Sequence, residues 1–179
     1  MPITLEAIAY VSACRVAPAD DDWGDTQATI TLVESLDASA LDGIEDYSHV
    51  EVLYLFHAVA AENIVAGARH PRNNPNWPRV GILAQRAKNR PNRIGSTICK
   101  LLHRSERSLV VLELDAIDGT PILDIKPVMV EFLPRDAIRQ PAWSTELMAN
   151  YWRSTSGTSA STREHPSTCW EPPKFPHGG

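Results

Sequence analysis

Short β-tolerant runs, each closed within a few residues by a Gly, Pro or Asp turn, set the strongest limit on how this chain of 179 residues can fold. Residues 26–33 alternate, with Ala28, Ile30 and Leu32 on one side and Thr29, Thr31 and Val33 on the other, which is the two-residue period of a strand. Residues 3–17 predict a strand before it. Residues 47–57 are almost unbroken β-branched and aromatic side chains and predict a strand buried on both faces. Strands are predicted at 80–85, at 94–103, at 109–116 after a hairpin connection through Arg104-Ser105-Glu106-Arg107-Ser108, and at 122–130 after the turn Asp118-Gly119-Thr120-Pro121. About seven short strands at near-regular spacing predict a mainly β fold, a small antiparallel β-barrel with few helices, and not a sandwich or a doubly wound sheet.

Two stretches break this pattern. Pro71, Pro75 and Pro78 rule out regular structure across 70–78. The one convincing helix is expected to start at Ser144, whose hydroxyl can cap it, with Glu146 in its first turn and Leu147 and Tyr151 on its apolar stripe. The expected organisation is a barrel over 1–134, a helical segment over 135–152 and a Ser/Thr/Pro-rich tail over 153–179. Trp170 and Phe175 in that tail are candidate anchors onto the domain or a neighbour.

Charge is sorted along the chain. Residues 69–107 hold ten Lys and Arg against the single acid Glu106, a balance of +9, while the rest carries −14. One positive face on an acidic protein draws in phosphate or another anion. Apolar residues at 43% and charged residues at 22% fit a globular protein, and no apolar run approaches membrane-spanning length. The N-terminus lacks the pattern of a secretory signal, and Cys14, Cys99 and Cys169 are odd in number with no C-x-x-C. A cytoplasmic protein with free thiols is expected. His49, His57 and His70 lack metal-ligand spacing, so no metal is expected, and the usual nucleotide-binding signatures are missing.

Two loops look built for a ligand. In the first, Arg86 and Arg90 offer planar forks for carboxylate or phosphate, Asn89 and Asn92 add amides, Pro91 fixes the backbone and Gly95 allows close approach. The second, Asp115-Ala116-Ile117-Asp118-Gly119-Thr120-Pro121, ends a strand with two carboxylates suited to an ammonium, a ribose diol or a sulfonium. The plainer readings are ordinary turns at 89–92 and at Asp118. Asp124 and Lys126 alternate on one strand face and read as an ion pair ahead of a catalytic pair.

His70-Pro71-Arg72, then Gly81-Ile82-Leu83-Ala84-Gln85-Arg86-Ala87-Lys88-Asn89-Arg90-Pro91-Asn92-Arg93-Ile94-Gly95, then Asp118-Gly119-Thr120-Pro121-Ile122-Leu123-Asp124-Ile125-Lys126-Pro127 resemble the TrmO family, also called YaeB or TsaA-like. Tyr47-Ser48-His49 and the strand after it join the resemblance, which covers about residues 3–132. It implies a small β-barrel that binds S-adenosylmethionine without a Rossmann sheet. The activity implied is N6-methylation of threonylcarbamoyladenosine beside the anticodon of tRNA, by a homodimer with sites near its interface. Carried over by position, the resemblance places the cofactor against His57, Ala58, Arg86, Ser96, Asp115, Ala116, Ile117 and Asp118. Arg72, Asn89, Arg90, Asn92 and Arg93 would meet the substrate. No general base stands out: His57 and His49 are candidates, and a buried structural histidine is the plainer reading of each.

Where the family carries a Pro-Arg-Gln motif in the first loop, this chain has Asp20-Asp21-Asp22-Trp23-Gly24-Asp25-Thr26-Gln27. Arg93, Gln85 and Asn73 replace the family's Pro, Thr and Gly. An acidic loop on the binding face would repel phosphate, so two further readings stand beside the tRNA enzyme. One is a module that binds S-adenosylmethionine without chemistry on RNA. The other is a methyltransferase for a small anionic molecule.

Overall fold

A computed structural model describes residues 3–154. Six strands, β1 (Ala9–Ser12), β2 (Gln27–Leu32), β3 (His49–Leu55), β6 (Ile94–Arg104), β7 (Ser108–Leu112) and β8 (Pro121–Pro127), form a closed antiparallel barrel. They follow one another around it as β1-β2-β7-β6-β3-β8. Closure removes the exposed strand edges that would otherwise template aggregation. The two-residue strands β4 (Ala68–Arg69) and β5 (Val80–Gly81) pair outside the barrel.

Alternation decides what fills the interior. Val50, Val52 and Tyr54 of β3, Ala28, Ile30 and Leu32 of β2, and Leu109 and Val111 of β7 all point inward and are buried. Register brings them together, with Val11 opposite Ile30, Ile30 opposite Leu109, and Val50 opposite Cys99. Fully burying a side chain of this kind is worth about 1.5–3 kcal/mol, which makes this column the main source of stability. Irregularities at Leu53/Tyr54 and at Leu101/His103 bend the long strands where the barrel turns.

The barrel is the expected fold, but several local expectations change. The strand over 47–57 is buried on one face only: Glu51, Leu53 and Leu55 are half-buried on the outside. Residues 80–85 are not one strand, because the chain leaves β5 for a short 3-10 turn over Ile82–Ala84. Buried Gln85 fixes that turn by donating its amide to the carbonyls of Arg69 and Val80. The strand expected over 3–17 is confined to β1. The helix α1 (Ala142–Leu147) begins after Pro141, not at Ser144, and the Ser144 hydroxyl donates to the Pro141 carbonyl at 2.8 Å. Asp124 and Lys126 do form an ion pair. Trp170, Phe175 and Cys169 lie outside the described residues, and among those described no helix is long and apolar enough to cross a membrane.

Candidate functional site

The site is built at one end of the barrel, where β3 runs into 56–59 and the chain beyond β7 reaches 115–117. A hollow opens there, walled by Trp23, Phe56 and Val59 on its apolar side and bordered by Tyr54, His57, Ala58, Lys88, Asp115, Ala116 and Ile117. The two strand-end segments meet because Tyr54 lies inside the barrel while its hydroxyl reaches the 115 loop. Opposite it on β6 is Gly95, where a Cβ would stand 2.4 Å from the Tyr54 ring. Only a residue without a side chain lets the ring pass.

Asp115 is the polar centre. Its Oδ1 accepts the Tyr54 hydroxyl at 2.6 Å and the Thr97 hydroxyl, and its Oδ2 accepts the Tyr151 hydroxyl. Burial raises the Tyr54 and Tyr151 phenols well above the ordinary tyrosine value, and the Asp115 charge adds to both shifts. Each phenol is therefore held as a neutral donor. Burial, then the same carboxylate, raises the Cys99 thiol beneath. The 115–118 loop is pinned from outside. The Cys14 thiol donates to the Ala116 carbonyl at 3.1 Å, and the Asp118 and Gly119 amides donate to the Arg15 and Val11 carbonyls.

Of the residues singled out in the sequence, His57, Ala58, Asp115, Ala116 and Ile117 share this hollow. Arg86, Ser96 and Asp118 are not among its walls. Arg86 donates to the Ser96 carbonyl, Ser96 donates its hydroxyl to Glu51 at 2.6 Å, and Asp118 lies on the exposed turn beside Gly119. The Arg86 and Arg72 charges still act on the Tyr151 hydroxyl and oppose the rise in its pKa. Both guanidinium groups thus stand within electrostatic reach of the site.

The other basic residues are partly committed. Arg72 makes a two-point ion pair with Asp21, at 2.8 and 2.9 Å, and also donates to the Asp20 carbonyl. Lys88 pairs with Asp20 at 3.6 Å. Arg90 donates to the Gln85 carbonyl, Arg93 to the Val59 carbonyl, and Asn89 to the Asn63 carbonyl. These three shape the loop, while Asn92 is exposed. His49 bonds Ser48, and His70 bonds the Trp77 carbonyl at 2.7 Å.

Sequence reasoning missed Tyr54, Thr97 and Tyr151 as partners of Asp115, and Trp23 as a wall. The only local signal was Gly95, a glycine inside a strand, which marks close approach by another group.

The family model for the tRNA-methyltransferase O N-terminal domain matches residues 14–132, about two thirds of the chain. The chain belongs to the TrmO family. Among its relatives, a Pseudomonas aeruginosa protein described as a putative S-adenosylmethionine-dependent methyltransferase, RcsF, is 38% identical over 139 residues. That match takes in 71% of this chain and 57% of the relative. The human tRNA (adenine(37)-N6)-methyltransferase is 32% identical over 139 residues, covering 74% of this chain and 31% of the human protein. The crystal structure of TrmO from Pseudomonas aeruginosa superposes with a TM-score of 0.62 at 29% identity, over 77% of this chain and 61% of that one. The chain thus spans between about a fifth and three fifths of the length of the curated relatives it matches.

Proposed function

We propose that this TrmO-family chain is an S-adenosylmethionine-dependent methyltransferase acting on N6 of the adenine beside the tRNA anticodon, with threonylcarbamoyladenosine as the acceptor. The observation that carries the proposal is the hollow at the barrel end. Five of the eight positions expected to hold the cofactor border it, around a carboxylate held by three hydroxyl groups.

The residues present fit such a ligand. Trp23 and Phe56 give apolar surface for a purine and for excluding water, and Asp115 gives an acceptor for a ribose hydroxyl or an ammonium. The bound donor would supply an activated methyl group on a sulfonium. The chain's own task is then alignment, and orientation of this kind can lower a barrier by about 7–11 kcal/mol. Lys88 at the rim, with Arg72 and Arg86 nearby, offers positive charge to an anionic acceptor, as phosphate contacts position an RNA and a few base contacts select it. His57, exposed at the same rim, is the imidazole we assign to taking the acceptor's proton. Arg86 and Asp118 enter as electrostatic and backbone supports and not as walls. The proposal includes a cytoplasmic setting and a second copy of the chain, which sedimentation at micromolar concentration tests.

One observation favours the binding-module reading. Asp20 and Asp21 occupy Lys88 and Arg72, two of the cations an RNA would meet. Isothermal titration with S-adenosylmethionine tests what both readings share: wild type binds, and Asp115→Asn binds at least tenfold more weakly. A wild-type protein that shows no heat and no thermal protection would remove both.

A further inference from the structure

Asp115 receives its third hydroxyl from beyond the barrel and beyond the family match, which ends at residue 132. After α1 the chain returns as a strap along the acidic loop. The Asp22 amide donates to the Asn150 carbonyl at 3.1 Å, and the Trp23 amide donates to the Tyr151 carbonyl at 2.7 Å. Gly24 then pairs in parallel with Ser154, and Arg153 reaches Asp22 at 2.7 Å. Contact is so close that a Cβ on Gly24 would stand 2.2 Å from the Trp152 carbonyl oxygen. The helix that leads into the strap is held by Trp77, whose indole N–H donates to Glu146 at 2.9 Å. The strap therefore delivers one side chain, Tyr151, to the same carboxylate that borders the hollow.

An ionised aspartate offers about four acceptor sites. Oδ1 takes Tyr54 and Thr97, while Oδ2 takes Tyr151 and, among the described residues, no further hydrogen-bond donor. One acceptor site remains, on Oδ2. The Tyr54 and Thr97 hydroxyls come from the barrel wall and fix Oδ1 whatever the strap does. Rotation about that fixed point is what Tyr151 restrains.

We propose that Tyr151 is a positioning residue: by holding Oδ2, it keeps the remaining acceptor site of Asp115 aimed at a hydroxyl or ammonium donor of the bound nucleoside. This rests on the proposed binding of S-adenosylmethionine in the hollow. A purely mechanical role, with Tyr151 only anchoring the strap, makes a different prediction. If Tyr151 only anchors, loss of its hydroxyl weakens the ligand only as far as the strap comes away; if it positions Asp115, loss of the hydroxyl weakens the ligand while the strap stays docked.

The test combines isothermal titration of the full chain with S-adenosylmethionine and amide hydrogen exchange at Asp22 and Trp23, whose N–H groups report strap docking directly. For Tyr151→Phe the expected result is protection retained at both amides and a dissociation constant raised about tenfold. For Gly24→Ala, which dislodges the strap without touching Asp115, protection falls and affinity falls by at least as much. Thermal unfolding of each variant verifies that the barrel is intact. Tyr151→Phe binding like wild type overturns the assignment, and so does weak binding accompanied by lost protection, which is the signature of an anchor. Unaltered affinity in Gly24→Ala with the amides exposed also overturns it. Wild type that fails to bind at all removes the functional reading as well, so the two failures are told apart.

Discussion

Tyr54 on β3 and Gly95 on β6 are directly paired, and the tyrosine ring occupies the space where any side chain at residue 95 would begin. This pairing joins fold to site. The missing Cβ lets the ring cross the neighbouring strand, and the crossing puts the hydroxyl 2.6 Å from Asp115 Oδ1.

Gly95→Ala is expected to destabilise the barrel by about 1–3 kcal/mol, the usual cost of overpacking a filled interior. The loss should shrink when Tyr54→Leu is made in the same chain, since the two positions are in contact and their effects are coupled. Urea unfolding of the two single variants and the double variant measures this. Strictly additive losses would contradict the close approach.

Alkaline stability should follow the two phenols. Burial and the Asp115 charge raise both Tyr54 and Tyr151 above the ordinary value of 10.0. The folded protein then keeps two protons that the unfolded chain gives up above about pH 10. Their contribution is fully present below that pH and declines as pH rises beyond it, through the window up to the folded values. Tyr151→Phe should flatten part of that decline without altering the slope at neutral pH, as followed by thermal melting between pH 7 and 11.

The acidic loop acts as an internal competitor for cations. Breaking the Arg72–Asp21 pair with Asp21→Asn should cost about 1–3 kcal/mol, because the contact is bidentate and both side chains are only about a quarter exposed. The same change should tighten tRNA binding several-fold and steepen its dependence on log salt by about one unit, as one more phosphate contact becomes available. Filter binding across a salt series reads both quantities. An unchanged slope would mean that Arg72 does not meet RNA.

Cys99 is fully buried with its thiol held protonated by burial, so it should resist alkylation at pH 8 in the folded chain and react once denaturant is added. Mass mapping of the modified peptide measures this. Rapid labelling of Cys99 under native conditions would mean that the barrel opens far more readily than its packing implies.

Much of this architecture could be read from the residues, for definite reasons. The strict alternation at 26–33 and the turn at Asp118-Gly119 report local backbone physics, which does not depend on distant parts of the chain. The strand at 49–55 was harder: Leu53 and Leu55 are apolar yet lie on the outer surface, so a one-faced strand looks two-faced in composition. The helix start was legible in principle, because Pro141 stands just before it, but the Ser144 hydroxyl offered a competing cap. The site was legible only as separate pieces. Asp115 stood out at the end of a strand, whereas its partners Tyr54, Thr97 and Tyr151 are drawn from two barrel strands and the segment after α1. No spacing rule links them. The acidic loop was read as a source of repulsion, and in the fold it is a partner, since Arg72 turns back onto Asp21 across 51 positions of sequence.

The central claim is methyl transfer to adenine N6 by a chain that carries its donor in the barrel-end hollow. Incubation of unmodified and threonylcarbamoylated tRNA with wild-type protein and methyl-labelled S-adenosylmethionine, followed by nucleoside mass spectrometry, tests it most directly. The account predicts label on N6 of threonylcarbamoyladenosine with wild type, and at least a hundredfold less with Asp115→Asn, which loses binding and alignment together. No label in any tRNA nucleoside, from wild-type protein that binds the donor, would contradict it.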